Sequence, residues 1–132
     1  MDIKKEYGTN KDLEIEGVWI DVGEGAKVKV ARNGNKGYVK MIEKLSRPYK
    51  KQIRRGTISG EKFDKIIRQA SARHILVNWE GIEEDGKEVP YSEEESYRLL
   101  TDYKDFREMI AEAALDFQNF QDGMLEEEEG NL

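Results

Sequence analysis

Cysteine is absent from the sequence, histidine occurs once and proline twice. Without thiols there is no disulfide framework, no thiolate metal site and no cysteine nucleophile, a composition suited to a reducing compartment. With His74 as the only imidazole, neither a histidine-based triad nor a histidine cluster for zinc can be built. A solitary histidine on a helix face reads as a core-edge residue. No apolar run approaches the ~18 residues of a membrane span, and the charged Met1–Glu16 segment has no apolar h-region. The expectation is therefore a soluble, intracellular chain with no membrane association.

Apolar material is scarce as well: 37% of the 132 residues are hydrophobic and 38% are charged, with a net charge of −6. That length and balance bound one domain with a modest core. The charge is segregated. Lys36–Arg55 carries eight basic residues and one acidic, whereas Glu80–Glu95 carries eight acidic residues and one lysine. Such a division lets the basic helix of one subunit face the acidic loop of another, and it is equally met as ordinary surface charge.

Residues 1–16 show no sustained period and read as an extended or mobile arm. Residues 17–121 form the folded unit. Val18–Val22 and Ala26–Ala31 are rich in β-branched residues and flank Gly23-Glu24-Gly25, which makes a β-hairpin. A lone hairpin is marginal in water, so its Trp19 face must pack on helices or on another chain. Tyr38, Met41, Ile42, Leu45, Tyr49 and Ile53 then recur at helical spacing among lysines and arginines. Pro48 bends or restarts this basic helix, with Ser46 available as a cap, and Gly56 ends it.

Ser59 caps the next helix, whose inner face is Phe63, Ile66, Ile67 and Ala70, continuing to His74 and Val77 and delivering the chain to Trp79. Ile75, Leu76, Val77 and Trp79 are expected to anchor the core. The acidic stretch after them turns at Asp85-Gly86, and Ser92 with Glu95 forms a capping box for a short helix. Asp102 and Asp105 start a last helix in which Phe106, Met109, Ile110, Ala113, Phe117 and Phe120 follow helical spacing over four turns. Residues 122–132 read as an acidic disordered tail.

No reactive constellation emerges. With Gly86 at the turn position of a calcium-binding loop, Gly81 and Ser92 would stand where carboxylates are required. The glycines at 23 and 25 lie between two strands and lack the third glycine of a dinucleotide fingerprint, and there is no phosphate-binding loop. Neither enzymatic activity nor a cofactor is expected. Lys50, Lys51, Arg54 and Arg55, with Tyr38 and Tyr49 nearby, form a basic patch suited to phosphate contact and stacking, so a nucleic-acid-binding module using helix 36–55 is a rival class. The acidic net charge opposes it.

Gly17-Val18-Trp19 with Val28-Lys29-Val30-Ala31-Arg32, then Gly34-Asn35, Tyr38, Pro48-Tyr49 and Gly56-Thr57, occur in an order that resembles the tail assembly chaperones of long-tailed bacteriophages. The block Trp79-Glu80-Gly81-Ile82, Asp85-Gly86-Lys87 and Pro90-Tyr91-Ser92, followed by Asp105-Phe106 and Phe117–Phe120, carries the resemblance furthest. It extends over residues 17–120. The resemblance implies a mostly helical protein that coats the tape measure protein in the host cytoplasm until tail tube subunits displace it, and that is absent from the mature virion. Many such chaperones also exist in a longer form made by −1 frameshifting. Glu129-Gly130-Asn131 can be encoded GAG GGA AAC, which contains a slippery heptamer, and reading the codons tests this.

The overall expectation is an α+β fold, predominantly helical, with an N-terminal β-hairpin followed by about four α-helices, forming a homo-oligomer. Phe106, Ile110, Phe117 and Phe120 are the candidate surface for the tape measure protein, although the same spacing suits a core-facing stripe. Trp19, Trp79 and Tyr38 are expected as fold or subunit anchors. The alternative within the phage setting is a structural head–tail joining or tail-completion protein.

Overall fold

The computed structural model describes residues 1–122. The chain is α+β and mostly helical, and its hairpin is followed by five helices and a third strand that completes a small sheet. Strands β1 (Val18–Gly23) and β2 (Ala26–Val30) pair antiparallel, Val18 opposite Val30. Their turn works because Glu24 and Gly25 both take positive φ, 55° and 77°, the twist that matches a right-handed hairpin.

Helix α3 (Lys36–Ser46) begins at Asn35, whose carboxamide oxygen accepts the Tyr38 N–H. Its amide nitrogen donates to the carbonyls of Arg32 and His74, both at 2.9 Å. One buried side chain thus joins the hairpin exit, the start of α3 and the end of the next long helix. Pro48 does interrupt the basic helix, within a 3-10 turn at Arg47–Tyr49, before α4 (Lys50–Arg55) resumes and Gly56 ends it at φ 69°. Ser46 makes no capping hydrogen bond there.

Helix α5 (Gly60–His74), capped by Ser59, packs between α3 and α6 (Glu93–Asp102). It stops at His74. The expected helical continuation to Val77 is instead β3 (Leu76–Glu80), which pairs antiparallel with β2, Val28 opposite Trp79 and Lys29 opposite Asn78. The edge of β2 needs a partner for its backbone groups, and the short β-branched and aromatic run supplies one. Ile75, Leu76 and Trp79 are indeed buried, packed with Val28, Val30, Leu99, Leu100 and Ile110 in one core.

The acidic stretch forms a two-residue ribbon, β4 (Glu83–Glu84) with β5 (Lys87–Glu88), turned by Asp85 and Gly86 at φ 53° and 77°. Ser92 accepts the Glu95 N–H at 3.0 Å, but the Glu95 carboxylate turns to Arg98, so only half of the expected capping box is made. Tyr103, not Asp102, stands at the start of α7 (Lys104–Leu115), with Asp105 in its first turn. Helix α7 is shorter than expected. Asp116 ends it by accepting the Gln118 N–H, and Phe117–Phe120 continue as a 3-10 turn.

Where the sequence suggests an extended or mobile arm, residues 3–7 and 11–16 form short helices α1 and α2. Five and six residues are too few to display a period, but Asp2 and Asn10 cap them with their side chains. Tertiary contacts hold them: the Asn10 N–H donates to the Phe120 carbonyl at 2.8 Å, and Arg32 meets Glu14 at 2.6 Å. The acidic-tail and frameshift expectations for residues beyond 122 lie outside the described residues.

Because Asn35 is 8% exposed and serves three backbone groups, Asn35→Ala is expected to destabilise the protein by about 1–3 kcal/mol. Urea denaturation measures this; a loss near zero would mean that the three contacts are not coupled to folding.

Candidate interaction surfaces

The four residues expected as one exposed stripe are divided by the structure. Ile110 is 2% exposed and Phe120 fully buried, both in the interior. They are unavailable as a free docking surface on the isolated chain. Helix α7 turns Ile110 toward β2 and α6, and the break at Asp116 redirects the chain so that Phe120 is covered by the N-terminal segment. Phe106 and Phe117 are half-buried and stand at two different surfaces.

Phe106 lines a cleft of about 460 Å³ between the β4–β5 ribbon and the α6–α7 junction. Ile82, Leu99 and Phe106 provide its apolar base, and Glu83, Glu84, Asp102 and Asp105 its carboxylates, with Lys104 as the one cation in the lining. The wall is fixed by Arg98, which pairs with Glu84 at 3.1 Å and Glu95 at 2.6 Å. Tyr103 also donates its hydroxyl to Glu84. The Arg98 hydrogen bond, then that of Tyr103, holds the Glu84 carboxyl below its ordinary value. The same bond to Glu84 raises the Tyr103 hydroxyl. Glu83 and Asp105 have no ion-pair partner among the described residues.

Phe117 stacks on Tyr7 with ring centroids 5.6 Å apart. Ile3, one helical turn before Tyr7, is 63% exposed, and Leu115, the last residue of α7, is 65% exposed. Sequence reasoning missed Tyr7, Ile3 and Leu115. Tyr7 was the available signal, an aromatic isolated in a charged segment.

The basic patch is borne by α4. Lys50, Lys51, Arg54 and Arg55 are all exposed and none pairs with a carboxylate among the described residues. Ile53 stands among them, 38% exposed. Helix α4 packs chiefly on the 3-10 turn that precedes it.

Trp79 is 4% exposed, donates its indole N–H to the Val89 carbonyl at 2.6 Å and meets the edge of Tyr91 at 4.9 Å. Tyr38 packs half-buried against the core. Trp19 does not reach that core. It sits opposite Lys29, so it shares the outer sheet face, and the ammonium groups of Lys27 and Lys29 lie 4.7 and 5.8 Å from its ring. His74 lies beneath Gly37, where an added Cβ would come within 2.5 Å of Nδ1. Burial, followed by the charge of Arg73, lowers its pKa despite Glu93. Among the described residues no group of three or more histidines and carboxylates could hold a metal ion, and no helix is long and apolar enough to cross a membrane.

Since the folded Glu84 carboxyl is lowered, its contribution to stability is complete above the ordinary carboxylate pKa and is lost as pH falls through the folded value. Tyr103→Phe removes one donor and should move the Glu84 titration, followed by carboxyl NMR, upward toward the ordinary range; Arg98→Met should move it further. An unchanged titration in both variants would contradict this assignment of the wall.

The family model described as "YdaY prophage protein" matches residues 33–131, from the start of α3 through the cleft and beyond. No curated protein matches the chain, and no solved structure does. The chain belongs to the YdaY prophage protein family and is phage-related.

Proposed function

We propose that this prophage protein is a tail assembly chaperone that holds the tape measure protein in the host cytoplasm, helps recruit tail tube subunits and is left out of the finished particle. The observation that carries this reading is the apolar surface where the two ends of the described chain meet. Tyr7 stacks on Phe117, while Ile3 and Leu115 are exposed nearby in sequence. A tape measure chain is long, helical and partly apolar, and it aggregates if left bare. A shallow aromatic and aliphatic surface suits one face of such a helix.

Individually weak contacts also fit the task. A protein that must be displaced during assembly is better served by weak contacts repeated over many copies than by one tight site, because linked weak sites gain avidity yet release stepwise. The resemblance to tail assembly chaperones supports the same reading. Its strongest block, Trp79–Ser92, builds the strand, ribbon and helix cap around the buried Trp79. That block therefore supports the scaffold, while the client meets the α1 and Phe117 surface.

Co-expression with the tape measure protein of the same prophage is expected to keep that partner soluble and co-purifying. Tyr7→Asp and Phe117→Asp, checked for folding by circular dichroism, should each reduce recovery several-fold. A tape measure protein that stays insoluble with both the short chain and any frameshifted long form would contradict the chaperone reading. Finding the chain in purified particles would instead favour a structural joining protein.

A further inference from the structure

The acidic cleft and the basic helix α4 are complementary in more than charge. The cleft has an apolar base of Ile82, Leu99 and Phe106 with carboxylates around it. Helix α4 has an exposed apolar residue, Ile53, with cations around it. Lys50, Ile53 and Arg54 are spaced i, i+3, i+4, so all three lie on one helical face. A single isoleucine with two flanking cations is a small knob, and a cleft of about 460 Å³ has room for it.

We propose that α4 of one copy of this chain seats in the acidic cleft of the next copy, with Ile53 on the Phe106 base and Lys50 and Arg54 facing Glu83 and Asp105. A second copy is the occupant because it brings the complementary face at the same concentration as the cleft. Glu83 and Asp105, on one side, and Lys50 and Arg54, on the other, lack ion-pair partners within the described chain. Helix α4 is otherwise sparsely packed, so docking covers a helix that the monomer leaves at its surface. Arg98 and Tyr103 hold Glu84 in place, so the receiving wall is formed before docking, which reduces the ordering cost.

The two faces are different, so the contact is heterologous. Each copy offers one α4 and one cleft, and repeated docking generates a ring if the rotation closes and a spiral if it does not. The charged contacts also make association sensitive to salt. This inference does not rest on the client reading, and its test requires no tape measure protein.

Sedimentation of the purified chain is expected to show growth beyond a dimer as concentration rises, reduced by salt. The variant Lys50→Glu/Arg54→Glu keeps the cleft and loses the knob; Glu83→Lys/Asp105→Lys keeps the knob and loses the cleft. Each alone should associate at least roughly tenfold more weakly. Mixed in equal amounts they should assemble again, since the native cleft of the first takes the native α4 of the second and the reversed cleft of the second takes the reversed α4 of the first, and a chain carrying all four changes should regain self-association.

Ile53→Asp, on a surface residue whose loss spares the core, should weaken assembly without lowering thermal stability. A wild-type chain that stays monomeric at every concentration, or single-face variants that assemble as the wild type does, would overturn the proposal. So would variants of α4 that lose salt-sensitive binding to DNA or RNA while self-association is unchanged, which would assign the helix to nucleic acid.

Discussion

The fold depends on how Trp79 is buried. An indole placed in an apolar interior needs a partner for its N–H, because leaving a buried donor unpaired costs about 1–3 kcal/mol and cancels a sizeable part of what burying the ring gains. Val89 provides that partner through its backbone carbonyl, ten residues later in the chain. The acidic ribbon must therefore fold back over β3, and Tyr91 closes the site by meeting the indole edge and donating its hydroxyl to the Leu76 carbonyl. Burial pushes the Tyr91 hydroxyl upward, so it remains a donor. Once the ribbon is fixed, Ser92 lies where α6 must begin, and α6 brings Leu99 and Leu100 to the core.

The same constraint makes the cleft. Folding the ribbon against the core carries Glu83 and Glu84 beside the end of α6, where Arg98 and Tyr103 engage Glu84. Repulsion among the ribbon carboxylates is offset locally on that side, while Glu83 and Asp105 remain facing solvent around apolar groups. The chain keeps its cations elsewhere, on α4. A small protein with little apolar material can bury one modest core and still display separate faces: an aromatic one at the N-terminal helices, an acidic one at the ribbon and a basic one at α4.

Much of this was legible in the sequence because it is local. The hairpin, the basic helix broken at Pro48, the caps at Ser59 and Ser92 and the Asp85-Gly86 turn are each specified by neighbours within a few residues. Strand β3 was not legible. His74, Ile75, Leu76 and Val77 continue the helical apolar face of α5 and only pairing with β2, some fifty residues earlier, makes them a strand. Phe120 shares its spacing with Ile110, yet Asp116 turns the chain between them. Asn35, Arg98 and Tyr103 act on residues distant in sequence, and nothing in their local surroundings distinguishes them from ordinary polar positions.

On the proposed reading the surface divides, with an apolar face for the client and the charged faces for neighbouring copies. Hydrogen–deuterium exchange of the chain, free and bound to the tape measure protein at matched concentration and salt, tests that division most directly. Slowed exchange on client binding is predicted in residues 3–7 and 115–120, with α4 and residues 82–106 unchanged. Protection confined to α4 or to the acidic cleft, with the N-terminal helices unaffected, would contradict it.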